Sequence, residues 1–296
     1  MHRKAIIDLG TNTFNLLIAD IADDRFNVVY SEKEGVALGM GGINERCIAN
    51  DAFERGINTL KRFKKICNTH ETIDIRAIGT SALRDASNSA EFINQAWDQI
   101  GLKIEIISGD QEAEYIYRGV SWSYDFPERA VIMDIGGGST EFVFADVNGI
   151  IEKRSFDIGV SRIFQEFTLA DPLTEENIAA IETWLDKRTN YFFDNKSCSV
   201  LIGASGSFET FHEMIHETKF LENFLAMEIP QQELEIIMDW VIYSTQSERD
   251  QHPYIIQIRR KMAPIAAVKT KWVMRKMGIT KTYVTPCSLK EGVLRG

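Results

Sequence analysis

The segment AIIDLGTNTFNLLIAD, Ala5 to Asp20, is restated after Ala130 as VIMDIGGGSTEFVFAD, and no other feature of this 296-residue chain limits its fold so strongly. Offset by 126 positions, the copies superpose without a gap: Asp8 falls on Asp134, Gly10 on Gly136, Thr13 on Ser139, Ala19 on Ala145 and Asp20 on Asp146. Each copy reads as an apolar strand ending in aspartate, a turn of glycine and hydroxyl residues, and a second apolar strand. Such turns leave backbone N–H groups pointing into one concavity, which suits phosphate oxygens. One turn alone is ordinary hairpin chemistry. Two on duplicated half-molecules predict a phosphate clamp in a cleft between domains. The small or hydroxyl residues from Gly136 to Thr140, followed by Glu141, exceed what a hairpin needs.

The order of elements repeats with the motif. Lys4 to Leu9, Phe14 to Ala19 and Arg25 to Glu34 read as strands, and Asp51 with Glu54 predicts a capping box opening a helix whose apolar stripe is Phe53, Ile57, Leu60 and Phe63. A strand from Ile73 to Ile78 leads into the polar turn GTSALRDASN, a helix from Ser89 to Ile100, a strand from Lys103 to Ile107 and a helix from Ser108–Asp110 to Ser121. The second half replays this: strands at Ala130 to Asp134, Thr140 to Asp146 and Ile150 to Ser155, a helix from Thr174, and a strand from Val200 to Ile202 ending in GASGS before another helix. From Gln231 the chain reads as largely helical, apart from a strand at Thr282 to Thr285, and closes with a helix opened by Ser288 and Glu291. The expected fold is α/β, with two mixed sheets covered by helices around a cleft. The expected domains are 1–124 and 125–296, with the final helix placed to pack back on the first.

Composition agrees with two globular domains, with 44% hydrophobic and 26% charged residues. No apolar run is long enough to span a bilayer, the N-terminal apolar stretch is too short for a secretory signal, and Cys47, Cys67, Cys198 and Cys287 form no C-x-x-C pair. A soluble cytoplasmic protein is expected, with neither membrane nor nucleic-acid partners. The formal charge of −10 argues against a broad basic surface, yet turn amides, a few arginines and a cation can still create a local anion site. The helical second half has surfaces suited to packing within the chain or in a homodimer.

The combination AIIDLGTNTFNLLIAD, RAIGTSALRDASN, IISGDQEAEYIYRGV, IMDIGGGSTEFVFAD and LIGASGSFETF resembles the exopolyphosphatase and guanosine pentaphosphate phosphohydrolase (Ppx/GppA) family, in the right order and over nearly the whole chain. The resemblance implies the duplicated actin-like (ribonuclease H-like) fold and release of terminal phosphate from polyphosphate or guanosine pentaphosphate. It puts the family's catalytic carboxylate on Glu112. From the residues alone, Asp110, Glu112 and Glu114 serve equally well as acidic groups at a helix start. Asp134 and Glu141 are the other candidate catalytic carboxylates, facing a phosphate held by Gly136, Gly137, Gly138, Ser139 and Thr140. Carboxylates beside phosphate call for a hard cation, so magnesium or another divalent ion is expected on Asp8, Asp134 and Glu141; Asp8 and Asp134 also suit hydrogen bonds from their own turns.

Gly10, Thr11, Asn12 and Thr13 form the first phosphate cradle. Arg84 is the expected cationic contact, its alternative being an ion pair with Asp85 or another surface carboxylate. Gly203 and Ser205, at a strand-to-helix junction, form a third and weaker candidate turn. The chain departs from the family pattern at Arg259 to Ala267, which lacks an acidic residue and a glycine, and in SLKEGVL, where Lys290 replaces an arginine.

Three other readings are weighed. His212-Glu213-x-x-His216 satisfies the H-E-x-x-H zinc-hydrolase pattern, with Glu233 or Glu235 as a third ligand, but position 219 is Lys and position 222 is Glu, so no extended motif follows. A kinase of the same superfamily would share the clamp, and a non-catalytic nucleotide or alarmone sensor would keep it without turnover. Glu141 stands where the first copy has Asn15. The Asp8 turn is therefore expected to hold phosphate, and the Asp134 turn, with Glu141 and Glu112, to carry metal and chemistry.

Overall fold

The computed structural model describes residues 2–22, 25–190, 192–194, 196–220 and 225–295. The first half runs β1 (His2–Leu9), β2 (Thr13–Ala22), β3 (Arg25–Gly35), α1 (Asn50–Thr69), β4 (Asp74–Gly79), α2 (Ser81–Asp85), α3 (Ser89–Ile100), β5 (Ile104–Ile106) and α4 (Gly109–Val120). The second runs β6 (Ala130–Ile135), β7 (Thr140–Asp146), β8 (Gly149–Phe156), α5 (Val160–Glu166), α6 (Glu175–Arg188), β9 (Val200–Gly203), α7 (Gly206–His216), β10 (Met227–Ile229), α8 (Gln231–Tyr243), α9 (Gln246–Gln251), α10 (Ala263–Met277), β11 (Lys281–Val284) and α11 (Leu289–Arg295).

The duplication is visible in the sheets. One has the order β3-β2-β1-β4-β5, and the other reads β8-β7-β6-β9-β11-β10, the same order with one strand added at the edge. In each, the first three strands are antiparallel and the next two run parallel to the first. This is the duplicated actin-like α/β fold. Even the irregularities correspond: the register slips between Ile18 and Ala19 in β2 and between Phe144 and Ala145 in β7, 126 residues apart. A bulge conserved between copies twists both hairpins alike.

Periodicity explains most elements. Phe53, Ile57, Leu60 and Phe63 are all buried on one face of α1. The expected Asp51–Glu54 capping box is absent: α1 begins one residue earlier with Ala49 at the N-cap, and Asp51 pairs with Arg55 at 2.6 Å. The stretch read as a polar turn at 80–85 contains the short helix α2, whose Ser81, Ala82 and Leu83 are buried. Neither α5 nor β10 was expected; both are too short for a periodic signal.

Each half has its own core, and a third apolar layer lies between the sheets, joining Ile6, Leu17 and Ile78 to Ile132, Val143 and Ile202 through Ile116 of α4 and Val293 of α11. Each fully buried side chain of this size contributes roughly 1.5–3 kcal/mol, so this layer binds the halves firmly. Within it α4 and α11 cross at glycines. A Cβ at Gly119 would lie 1.9 Å from Ser288 O, and one at Gly292 would lie 1.7 Å from Tyr115 O. The backbones touch because neither residue has a side chain. That contact fixes the N-terminal ends of both helices, carrying Glu112 and Lys290, against the same cavity.

Candidate active site

The two glycine turns meet face to face. A Cβ at Gly137 would lie 2.8 Å from the Asn12 side chain, and one at Gly138 would lie 2.7 Å from Thr11 Oγ1. Each turn is strapped from behind. The carbonyls of Gly136, Gly137 and Gly138 accept from the N–H groups of Val160, Ser161 and Gly159, and those of Thr11 and Asn12 accept from Gly39 and Ala37. Because N–H and C=O lie on opposite edges of a trans peptide, tethering the carbonyls turns the intervening N–H groups the other way. Gly159 itself approaches so closely that a Cβ would stand 2.1 Å from Gly137 O.

Beneath the turns lies a cavity of about 200 Å³ whose wall includes Asp8, Glu112, Asp134 and Glu141. Asp8 Oδ2 accepts from Asn15 Nδ2 at 2.9 Å, Asp134 Oδ2 accepts from Ser288 Oγ at 2.7 Å, and Glu141 Oε1 accepts from Ser155 Oγ at 2.7 Å. Ser288 also explains its own helix start: its N–H donates to Glu291 as in a capping box, while its hydroxyl is diverted to Asp134. Asp8 Oδ1 and Ser205 Oγ are buried without a hydrogen-bond partner. Groups left in this way in a polar cavity await a ligand.

The four carboxylates resist ionisation together. Burial, opposed by Asn15, pushes the Asp8 pKa up to about 6. Burial and then the neighbouring Glu141 charge push Asp134 up to about 8. Burial followed by Glu141 raises Glu112 well above its ordinary value, against the pull of Arg84. Burial also raises Glu141, opposed by Ser155, Ser139, Arg84 and Lys269. Like charges in one dry cavity cannot all ionise without a counter-charge.

Of the residues expected to bind phosphate, Thr11, Asn12, Thr13, Gly136, Gly137 and Ser205 line the cavity. Others lie behind the wall. Gly10 N–H closes its own turn on Thr13 O, Ser139 is 2% exposed and Thr140 is fully buried. Gly138 packs against Ser81 and Thr11, and Gly203 passes under the Phe208 ring, where a Cβ would be 2.0 Å away. Arg84 takes the ion-pair alternative, but with the buried Glu112 in place of Asp85 or a surface carboxylate. Its Nη1 donates to Glu112 Oε2 at 2.9 Å and to Ile107 O, so it grips the carboxylate of α4 and does not line the cavity. Asp85 is taken by Arg162, which also donates to Gly138 O and Ile43 O and so braces the second turn against α2 and the loop around Ile43.

The cavity wall also has a basic stretch. Lys33, Arg259 and Lys290 line it, with Glu209 among them. Lys33 was not singled out in the sequence, because it sits on a strand edge of alternating polar residues with nothing local to mark it. Lys269 was also missed. It is fully buried and donates to Thr140 Oγ1 and Ile158 O behind the glycine turn, and burial pulls its pKa down to about 7 despite Glu141.

The H-E-x-x-H pattern finds no metal geometry. His212 and His216 stack at 4.3 Å between centroids, Glu213 accepts from the Phe220 N–H, and among the described residues no three His, Cys, Asp or Glu side chains are grouped to hold a metal. Among those residues, too, no helix is long and apolar enough to cross a membrane.

Comparison with known proteins agrees with this geometry. A crystallised exopolyphosphatase from Cytophaga hutchinsonii is 33% identical and superposes with a TM-score of 0.95 over 99% of this chain and 97% of that one. The Ppx-GppA enzyme of Aquifex aeolicus is 25% identical, with a TM-score of 0.82 over 99% and 98% of the two chains. A bifunctional 3-dehydroquinate synthase/phosphatase of Fusobacterium nucleatum subsp. nucleatum is 36% identical over 220 residues, which make up 70% of this chain and 33% of that relative. The chain therefore matches about a third of that longer protein. The Ppx/GppA phosphatase family model matches residues 17–296. It begins beyond the Asp8 turn, which the whole-chain superpositions include. With sequence and architecture in agreement from end to end, the chain belongs to the Ppx/GppA phosphatase family.

Proposed function

We propose that the chain is a phosphoanhydride hydrolase that acts in the cytoplasm, releasing terminal phosphate from inorganic polyphosphate or guanosine pentaphosphate by in-line attack of water. The observation that carries this reading is the convergence of Asp8, Glu112, Asp134 and Glu141, from both halves of a duplicated fold, on one cavity roofed by two glycine turns. Kinship with proteins named exopolyphosphatase and phosphatase supports it.

Glu112 is the proposed base. Its carboxylate is buried, aimed by Arg84 and close to Glu141, and burial followed by the Glu141 charge raises its affinity for a proton, as a general base requires. The N–H groups of Gly136 and Gly137 and of the Thr11–Thr13 turn, which line the cavity, hold the phosphoryl oxygens. Among the described residues no three carboxylates are grouped to hold a metal by themselves, so magnesium or another divalent cation would be held by one or two of Asp8, Asp134 and Glu141 together with substrate oxygens, and the partnerless Asp8 Oδ1 is an atom left to meet it. When bound, such an ion supplies the positive charge that lets these carboxylates stand beside phosphate.

The test is phosphate release from tripolyphosphate, long polyphosphate, guanosine pentaphosphate and ATP, with and without magnesium, in wild type and Glu112→Gln. Magnesium-dependent release from a polyphosphate or guanosine pentaphosphate, lost in the variant, is expected. Release that persists in Glu112→Gln removes Glu112 from its role. Tight binding with no release from any substrate favours a sensor.

A further inference from the structure

The basic wall of the cavity contains its own anion. Glu209, on the first turn of α7, accepts from Lys33 Nζ of β3 at 3.2 Å and from Arg259 Nη2 at 3.0 Å. Arg259 Nη1 also donates to Thr210 Oγ1 at 2.9 Å, and its guanidinium lies so flat on the helix that a Cβ at Gly206 would be 1.7 Å from Nη2. Lys290 of α11 completes the group. Burial opposes ionisation of Glu209, but Lys33, Arg259 and Lys290 outweigh it and hold its pKa down to about 2. Glu209 is thus a fixed negative charge among three cations drawn from three separate elements.

The same cavity therefore holds both a set of carboxylates and a set of cations. When a terminal phosphoryl group is held by the turns, the charged groups that trail behind it meet Lys33, Arg259 and Lys290. Those cations are already engaged, Lys33 and Arg259 by Glu209 and Lys290 by Glu291. We propose that Glu209 is a specificity-determining residue: an internal counter-ion that limits how strongly the pocket holds highly charged groups behind the scissile bond. The inference rests on the hydrolase reading for the direction in which substrate lies. Its physical basis is simple. Counting Glu291, which pairs with Lys290 at 2.7 Å, the group offers a net one positive charge with Glu209 and two without it, so the effect of removing Glu209 grows with the charge of the trailing group.

The test is calorimetric binding of orthophosphate, pyrophosphate and tripolyphosphate, which place no, one and two phosphates behind the terminal one. It is run with magnesium in a Glu112→Gln background that suppresses turnover. Adding Glu209→Gln should leave orthophosphate affinity within about twofold and tighten pyrophosphate by about 3-fold and tripolyphosphate by about 10-fold. Equal changes for all three ligands, or a loss for all, overturn the inference.

Because Glu209→Gln strips two partly buried cations of their partner, a second pair of variants guards against misfolding. Lys33→Gln leaves Arg259 paired and should weaken tripolyphosphate by about 10-fold, and adding Glu209→Gln should restore it to within about threefold of the starting affinity. Failure of the second change to restore binding overturns the inference as well. A graded response in a protein whose wild type releases no phosphate would sink the hydrolase reading alone. Turnover with a flat response would sink only the role of Glu209.

Discussion

Glu141 stands directly opposite Asp134 across β6 and β7, at the register position where Asn15 stands opposite Asp8 across β1 and β2. In the first half the amide satisfies the aspartate at 2.9 Å. In the second, a carboxylate faces a carboxylate, and Asp134 turns to Ser288 of α11 for its hydrogen bond. One substitution between copies separates a quiet turn from a charged one.

Glu141→Asn puts opposite Asp134 the residue that stands opposite Asp8 in the first half. Phosphate release should fall by about 10²-fold or more, while the thermal midpoint at pH 8 without divalent metal should rise, since Asp134 loses its like-charged neighbour. Steady-state kinetics and thermal denaturation measure the two effects. Activity within a few-fold of wild type would count against any catalytic part for Glu141.

Stability of the metal-free protein should decline as pH rises from about 4.5 to about 8. Asp8 and Asp134 titrate at 3.8 when unfolded but at about 6 and about 8 in the fold. In that window the folded state holds protons that the unfolded state has released, so raising pH favours unfolding until the folded pKa is passed. Magnesium should flatten the dependence by favouring the ionised carboxylates. Melting curves across pH, with chelator and with magnesium, test this; identical slopes in both would argue that the ion binds elsewhere.

Arg84→Met should shift a pH profile more than it changes substrate affinity. Arg84 pulls the Glu112 pKa down but does not line the cavity. Removing it leaves Glu112 protonated to higher pH, so the acidic limb of kcat should move upward while KM stays within about threefold. A large rise in KM with an unmoved limb would restore Arg84 to direct contact with phosphate.

His212→Ala should leave phosphate release within about threefold of wild type, and the purified protein should contain far less than one zinc per chain. His212 packs against His216 and Phe220, and burial pulls its pKa down to about 4. Stoichiometric zinc, lost together with activity in the variant, would revive the zinc reading.

Much of the fold could be read because the duplicated segments carry long, strongly apolar strands. The bounds of β7 and α3 match their expected ranges, since clear periodicity ends there in polar residues. The helix starts at Ser108, Thr174 and Ser288 were legible from their capping residues, and that of α1 was not. The Asp51 signal failed because a carboxylate in a first turn serves the helix dipole as well as a capping box does, and Arg55 was within reach. At the site, residues on the two turns could be found from local composition. Lys33 and Glu209 could not: they are 176 positions apart, and only the pairing of β3 and α7 across the cleft gives either a meaning. Arg84 was misjudged for the same reason, because its partner on α4 lies 28 residues away.

The contact of Gly119 with Ser288 and of Gly292 with Tyr115 leaves no room for one helix to slide along the other. The crossing is therefore a fixed point of the fold, and Glu112, Ser288 and Lys290 all lie within two helical turns of it. A side chain added at either glycine would force the two helices apart and displace these residues without itself entering the cavity.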